Sequence, residues 1–533
     1  MKYFYLVISV LLISCSTTKK ESDQKLEDIP FIPLAQEIKS SNSFLLANEL
    51  SSIQIEIKSE RIDAALIDFK IFWKEQTSYE IPINNSINDN LKSIKLEISD
   101  SSKTSKEFYQ LRINEKGIDI KSNTEEGLYR GLTTLKQVVI FSDIKNNIKR
   151  LSTGIINDFS SYEYRGSMMD VARHFFDLDD VKRYIDVLSL YKFNFLHLHL
   201  SDDQGWRIEI KKWPKLTTIG GEKEVGGTDG GFYTQEEYKE LVNYAHNKFI
   251  TIIPEIDIPG HTNAALASYS ELNCDGISPD IYTGTEVGFS SLCAQRKETY
   301  TFLKDVVNEI SLLTKGSYFH VGGDESYKTS KEDFIQIIDS VISYVYKNDK
   351  TPITWDNDVK TAEITQFWNE SSKLTALKKS KKIIYSPASR AYLDMKYDSL
   401  SKFGLSWAGY SSVKNAYEWD PKNIASKLDL KEIDILGIEA PIWSETVSSF
   451  DELSYLVFPR LLGHSEIAWT SKDQRIWEAY NQRLKKHKIY LKSIKSIKSK
   501  SYNAFFNEPI IINNKKIIYP SDHGIVVTTF KLN

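Results

Sequence analysis

From Pro30 to about Arg150 the chain alternates apolar and polar residues over short runs, as in Ile53-Gln54-Ile55-Glu56-Ile57 and Ile94-Lys95-Leu96-Glu97-Ile98. A period of two turns one face to the core and the other to water, so these runs predict half-buried strands. Between them the period lengthens. Arg61 to Trp73 spaces Ile62, Leu66, Phe69 and Trp73 along one helical stripe, and Thr124-Glu125-Glu126-Gly127 opens a second helix through Leu128, Leu132 and Leu135. The pattern predicts a small α+β domain over residues 30–155, with helices covering one face of its sheet.

After about Tyr162 the rhythm changes. Apolar runs of four to eight residues alternate with longer helical patterns at Gly166-Val171, Phe193-Leu200, Ile250-Ile256, Tyr318-Val321, Thr351-Trp355, Ile364-Trp368, Lys382-Ser386 and Ile435-Trp443. Near-continuous apolar strands separated by helices imply parallel strands buried on both faces, and eight of them match a (β/α)₈ TIM barrel over residues 156–491. The competing topology is an open doubly wound sheet, which no Gly-rich dinucleotide turn supports. In a barrel, catalytic groups gather at the C-terminal ends of the strands. The polar residues fall there: Asp170 to His174, Ser201-Asp202-Asp203, Glu255 to His261, Gly322-Gly323-Asp324-Glu325, Trp355-Asp356, Trp368-Asn369 and Trp443-Ser444-Glu445.

The two ends of the chain read differently. Lys2 precedes an apolar stretch from Phe4 to Ile13, too short to span a bilayer, followed by Leu12-Ile13-Ser14-Cys15. This end resembles a bacterial lipobox, which implies a signal over residues 1–15, lipidation of Cys15, a tether over 16–29, and an exported protein anchored to the outer membrane. A plain cleaved signal is the alternative. Cys274 and Cys293 can pair in an oxidising compartment, two buried thiols being the other reading. The Lys485 to Lys500 stretch reads as a solvated helix and linker. Residues 492–533, with Ile510-Ile511-Ile512 and Ile517-Ile518-Tyr519, suggest a short strand pair.

Charge nearly cancels over the 533 residues, 72 Asp+Glu against 68 Lys+Arg. No basic field exists to hold a phosphate backbone, so nucleic acid is not an expected partner. The 10 Trp and 29 Tyr supply flat faces of the kind sugar rings dock against.

The rim motifs carry a family resemblance. Arg165-Gly166 with Asp170 to Phe176, His197 to Trp206, Asp257-Ile258-Pro259-Gly260-His261, His320-Val321-Gly322-Gly323-Asp324-Glu325, Tyr392-Leu393-Asp394 and Trp443-Ser444-Glu445 resemble the family 20 glycoside hydrolases, the β-N-acetylhexosaminidases. The resemblance runs in order from about Pro30 to about Leu491. It implies an exo-acting, retaining hydrolase of terminal β-linked GlcNAc or GalNAc in which the substrate's own 2-acetamido group is the nucleophile. Glu325 would be the general acid, Asp324 would orient the acetamido N–H, and Tyr392 would donate to its carbonyl. Arg173, Asp394 and Glu445 would read the sugar hydroxyls, and Trp355, Trp368 and Trp443, with Trp407 nearby, would wall the pocket. Asp202 and His261 would relay to Glu325, and Asp257 would be structural. One departure stands beside the acid: Ser326 occupies a position where a small apolar residue is common.

Adjacent residues on a strand point to opposite faces, so Asp324 and Glu325 can share a site only where their strand is ending. His197 and His199 have the i, i+2 spacing of metal ligands, but no third ligand is evident and packing inside the barrel is the expected role. No cofactor or metal enters this reading. Two other functions compete: a retaining glycosidase using Glu445 or Asp257 as its own nucleophile, and a non-catalytic glycan-binding protein on the same fold.

Overall fold

The structure, a computed structural model, describes residues 23–99, 105–356, 362–370, 381–423 and 434–493. The signal over 1–15 with Cys15, the first part of the tether and the strand pair beyond 493 lie outside the described residues.

The first domain is an eight-stranded sheet built from β1 (Glu37–Leu46), β2 (Ile53–Ile55), β3 (Ile83–Asn84), β4 (Ile94–Ile98), β5 (Tyr109–Asn114), β6 (Gly117–Ser122), β7 (Asp143–Lys145) and β8 (Ile148–Asp158). Its spatial order is β1-β8-β5-β6-β4-β2-β3, with β7 paired to β8. Helices Glu60–Thr77 and Glu125–Phe141 lie on it, capped by Ser59 and Thr124, whose side chains accept the N–H groups of Ile62 and Gly127. Ile62, Leu66, Phe69 and Trp73 are all buried, as their spacing requires.

Two expectations need correction here. The tether does not extend to residue 29: Leu26 is buried in the core of this domain, and the Gln24 side chain donates to Phe141 O. A single apolar residue in a polar run carries no periodicity, yet it packs into the core of this domain. The boundary at 155/156 also falls inside β8, which continues to Asp158 because it pairs there with β5.

The second region is a closed barrel of eight parallel strands: β9 (Tyr164–Asp170), β10 (Phe195–His199), β11 (Thr251–Glu255), β12 (Tyr318–His320), β13 (Thr351–Trp355), β14 (Ile364–Phe367), β15 (Lys382–Tyr385) and β16 (Asp434–Ile442). Closure comes from β16 against β9, with Gly437 opposite Tyr164 and Ile442 opposite Met169. All eight expected strands are present, and the open-sheet alternative is excluded.

The first domain grips the N-terminal end of this barrel through buried charge pairs. Glu107 binds both Arg130, at 2.7 Å, and Arg165. Burial alone would raise its pKa, but the two guanidiniums bring it down to about 2. Lys192 reaches Asp158 at 2.8 Å, and Trp469 Nε1 donates to the same carboxylate.

Candidate active site

The site begins where β12 stops. The ladder ends at His320, and the chain then turns through Gly322 at φ 67° and Gly323 at φ 98°. A Cβ on Gly322 would stand 1.8 Å from Asp257 Oδ1, so this position admits only glycine. Asp257 Oδ1 in turn accepts the Gly323 N–H at 2.9 Å. Glu325 is held at φ 41°, a left-handed conformation that costs a non-glycine residue about 1–3 kcal/mol. This turn breaks the strand alternation and brings both Asp324 and Glu325 to one cavity of about 720 Å³.

Arg173 sits at the end of β9. Asp170 Oδ1 accepts the backbone N–H groups of Ala172 and Arg173, while Asp170 Oδ2 accepts that of Ser444, so one carboxylate ties β9 to β16. The guanidinium lies over the Trp443 ring, 4.8 Å from its centroid, and binds Asp202 Oδ2 at 2.7 Å. Asp202 also meets His199 Nε2 at 2.8 Å and His261 Nδ1 at 3.1 Å. Burial opposes its charge, but Arg173 and His261 hold it well below the usual carboxylate range.

His261 Nε2 then faces Asp324 Oδ1 at 3.9 Å and Glu325 Oε2 at 3.7 Å. Burial and the charge of Asp324 push Glu325 up to about 7, where a carboxyl can hold a proton at neutral pH and give it up. Asp257 is raised as well, by burial first and Asp324 second.

Of the residues singled out from the sequence, Arg173, Asp324, Glu325, Trp368, Tyr392, Asp394, Trp407, Trp443 and Glu445 all line this cavity. Trp407 is 57 % exposed and stands edge-on to Trp368 and Tyr392 at the mouth. Asp394 is buried and Glu445 half-buried. Asp324 Oδ1, Trp368 Nε1, Glu445 Oε2 and both Asp394 oxygens have no hydrogen-bond partner among the described residues. Buried polar atoms are otherwise nearly always paired, so this concentration marks a surface built for a polyhydroxylated ligand.

Trp355 is the exception. It is fully buried, does not line the cavity, and packs behind Trp443 and Tyr392. Its expected place as a wall is corrected to that of a backing residue, because its indole turns to the barrel axis. Cys274 and Cys293 form a disulfide in the loop after β11, the loop that also brings Thr285 and Val287 to the cavity.

The axis itself is charged. His197 and His199 are buried inside the barrel as expected, but a third candidate ligand does exist: His197, Glu255 and His320 each place an atom within 4.8 Å of the others. Both Glu255 oxygens are already engaged: Oε1 accepts the Trp355 Nε1–H and Oε2 is hydrogen-bonded to His199 Nδ1, while His197 Nε2 lies 3.1 Å away and His320 Nδ1, which accepts the Gly322 N–H, lies 3.0 Å away. With His197 between Glu255 and Glu439 and His199 beside Glu255, this set describes an ion-pair core.

Glu255, His320 and Glu439 were missed as interacting residues by the sequence reading. The available signal was a carboxylate inside an apolar strand, since Glu is almost never buried unpaired.

Comparison with known proteins agrees with this geometry. Residues 162–472 match the model of the glycosyl hydrolase family 20 catalytic domain, and residues 28–159 that of domain 2 of the same family. A β-N-acetylhexosaminidase of Cellulomonas fimi is 36 % identical over 402 residues, covering 74 % of this chain and 80 % of the relative. A β-hexosaminidase of Porphyromonas gingivalis is 30 % identical over 508 residues, covering 89 % of this chain and 65 % of the relative. The structure of Streptomyces plicatus N-acetyl-β-hexosaminidase in complex with thio-NAglucal superposes with a TM-score of 0.79 at 39 % identity, covering 86 % of this chain and 94 % of that one.

Proposed function

This chain belongs to glycosyl hydrolase family 20, the β-N-acetylhexosaminidases, and from that premise we propose which residues carry each step of its substrate-assisted hydrolysis. The terminal sugar enters with its outer hydroxyls toward Asp394, Glu445 and Arg173. Arg173 offers a planar fork of donors and the carboxylates accept, a division of labour that suits a diol. The acetamido carbonyl oxygen attacks the anomeric carbon, Glu325 gives its proton to the leaving oxygen, and the glycosidic bond breaks. Asp324 accepts the acetamido N–H and stabilises the positive charge of the oxazolinium ring. Water then attacks the same carbon and loses its proton to Glu325, and the ring opens to regenerate the acetamide with retained configuration.

The observation that carries this reading is the left-handed turn that aims two consecutive carboxylates into one cavity. A GlcNAc-type substrate is favoured by the ligand of a similar structure, a Streptomyces plicatus β-hexosaminidase variant in complex with GlcNAc. The test compares aryl β-N-acetylglucosaminide with the aryl β-glucoside. The acetamide is expected to turn over and the glucoside not, since it lacks the attacking group. Comparable turnover of both would return the enzyme-nucleophile alternative with Glu445 or Asp257.

For location, we propose that residues 1–15 direct export and that Cys15 is acylated, on the strength of the Phe4–Ile13 apolar run ending in Leu12-Ile13-Ser14-Cys15. Expressed in a bacterium with an outer membrane, the protein is expected in the membrane fraction, and Cys15→Ala is expected to leave that fraction. An unchanged distribution on fractionation would remove the anchor.

A further inference from the structure

The proposed mechanism uses nothing on the barrel axis, yet a buried carboxylate with four nitrogens close to it lies there. Glu255 ends β11 fully buried. Its Oε1 accepts the Trp355 Nε1–H at 2.7 Å and lies 3.0 Å from His320 Nδ1. Its Oε2 lies 2.5 Å from His199 Nδ1 and 3.1 Å from His197 Nε2. Two of these contacts lead outward to the cavity. His199 continues through its other nitrogen to Asp202, which holds Arg173 and His261, and His261 faces Glu325. Trp355 backs the Trp443 and Tyr392 rings that form the pocket wall.

We infer that Glu255 is a positioning residue, whose carboxylate fixes both the imidazole behind Asp202 and the indole behind the pocket wall. The inference rests on Glu325 being the acid of the proposed mechanism. An imidazole with a free Nδ1 could rotate away from Asp202. Bound at both nitrogens, it has one orientation, and the Asp202 carboxylate that aligns Arg173 and His261 has one orientation with it. Burial disfavours the imidazolium, but Glu255 and Asp202 together push His199 up to about 10, so the link carries a positive charge at neutral pH.

That charge makes the coupling measurable. Glu325 is faced by Asp324, by His261 after β11, by Arg173 after β9, by Asp202 after β10 and by Tyr327. Glu255 is faced by His197 and His199 on β10, His320 on β12 and Asp257 beyond its own strand, with Glu439 of β16 on the far side of His197. In Glu255→Gln, a negative charge is lost while the hydrogen bond between His199 and Asp202 remains. The ionised form of Glu325 is then favoured. In His199→Gln, a positive charge is lost while His197 keeps Glu255 ionised, and the protonated form is favoured.

The experiment is the pH profile of kcat/KM for an aryl β-N-acetylglucosaminide with the full chain. The alkaline limb is expected to move to lower pH in Glu255→Gln and to higher pH in His199→Gln, by about half a unit each. With Glu255→Gln, kcat is expected to fall by about tenfold to a hundredfold, since alignment is lost and no contact to substrate is removed. Trp355→Phe removes only the donor at the other end, so KM is expected to rise with the limb unmoved; an unchanged KM would overturn the wall half of the inference.

Limbs that coincide with the parent, or that move in the same direction in both variants, would overturn the relay half. If Glu255→Gln does not yield folded protein, the direction of the limb in His199→Gln decides. Glu325→Gln is measured alongside. Should it keep full activity toward poor leaving groups, the acid assignment itself fails. Should it lose that activity while the two limbs stay in place, only the present inference fails.

Discussion

Glu325→Gln is expected to lower kcat/KM by about 10²–10⁴-fold for an aryl β-N-acetylglucosaminide whose phenol is a poor leaving group. The amide keeps the size of the side chain but has no proton to give, so the departing oxygen must leave as an anion. Where the phenol is already acidic, as in a dinitrophenyl glycoside, that oxygen needs no proton and the loss in the first step shrinks. The leaving-group dependence of the loss, measured across a series of aryl glycosides, identifies the acid. A uniform loss would reassign the role. The same substitution also removes a titration. In the parent, burial and the Asp324 charge hold Glu325 at about 7, so it carries its proton below that pH. Activity therefore falls as pH rises through about 7, and that alkaline limb is expected to disappear in the variant.

The parts of this enzyme that were legible in the sequence are those fixed by burial. A parallel strand covered on both faces must be apolar throughout, and each of the eight runs proved to be a barrel strand. Several were read one residue too long, as at Val171, Ile256 and Val321. These side chains stay buried just beyond the ladder, and hydrophobicity registers burial, not hydrogen bonding. The rim residues were legible because strand ends in a barrel converge wherever the intervening helices run.

What the sequence could not supply was direction. Trp355 has the strand-end position of a wall residue, yet its indole turns inward to Glu255. The links among His197, Glu255, His320 and Glu439 join four different strands and exist only once the barrel has closed. Loop residues such as Val287 and Tyr327 reach the cavity by paths that carry no period at all.

Asp324→Asn is expected to cost about 10²–10³-fold in kcat, the range for removing one preorganised polar contact to a charge that develops in the transition state. The amide can rotate its oxygen toward the acetamido N–H, so the ground-state contact survives in part and KM should move little. The negative charge opposite the oxazolinium ring is lost outright. Because that ring forms whatever the leaving group, the loss should be the same for dinitrophenyl and for poor phenols, which separates this residue from Glu325 in a single series of substrates. The neutral side chain also relieves its neighbour: with the second-largest cause of the raised Glu325 pKa gone, the acid ionises more readily and the alkaline limb moves to lower pH. A loss that grew with leaving-group pKa would instead make Asp324 part of the proton transfer. A limb that stayed in place would mean that the two carboxylates do not face one another across the site.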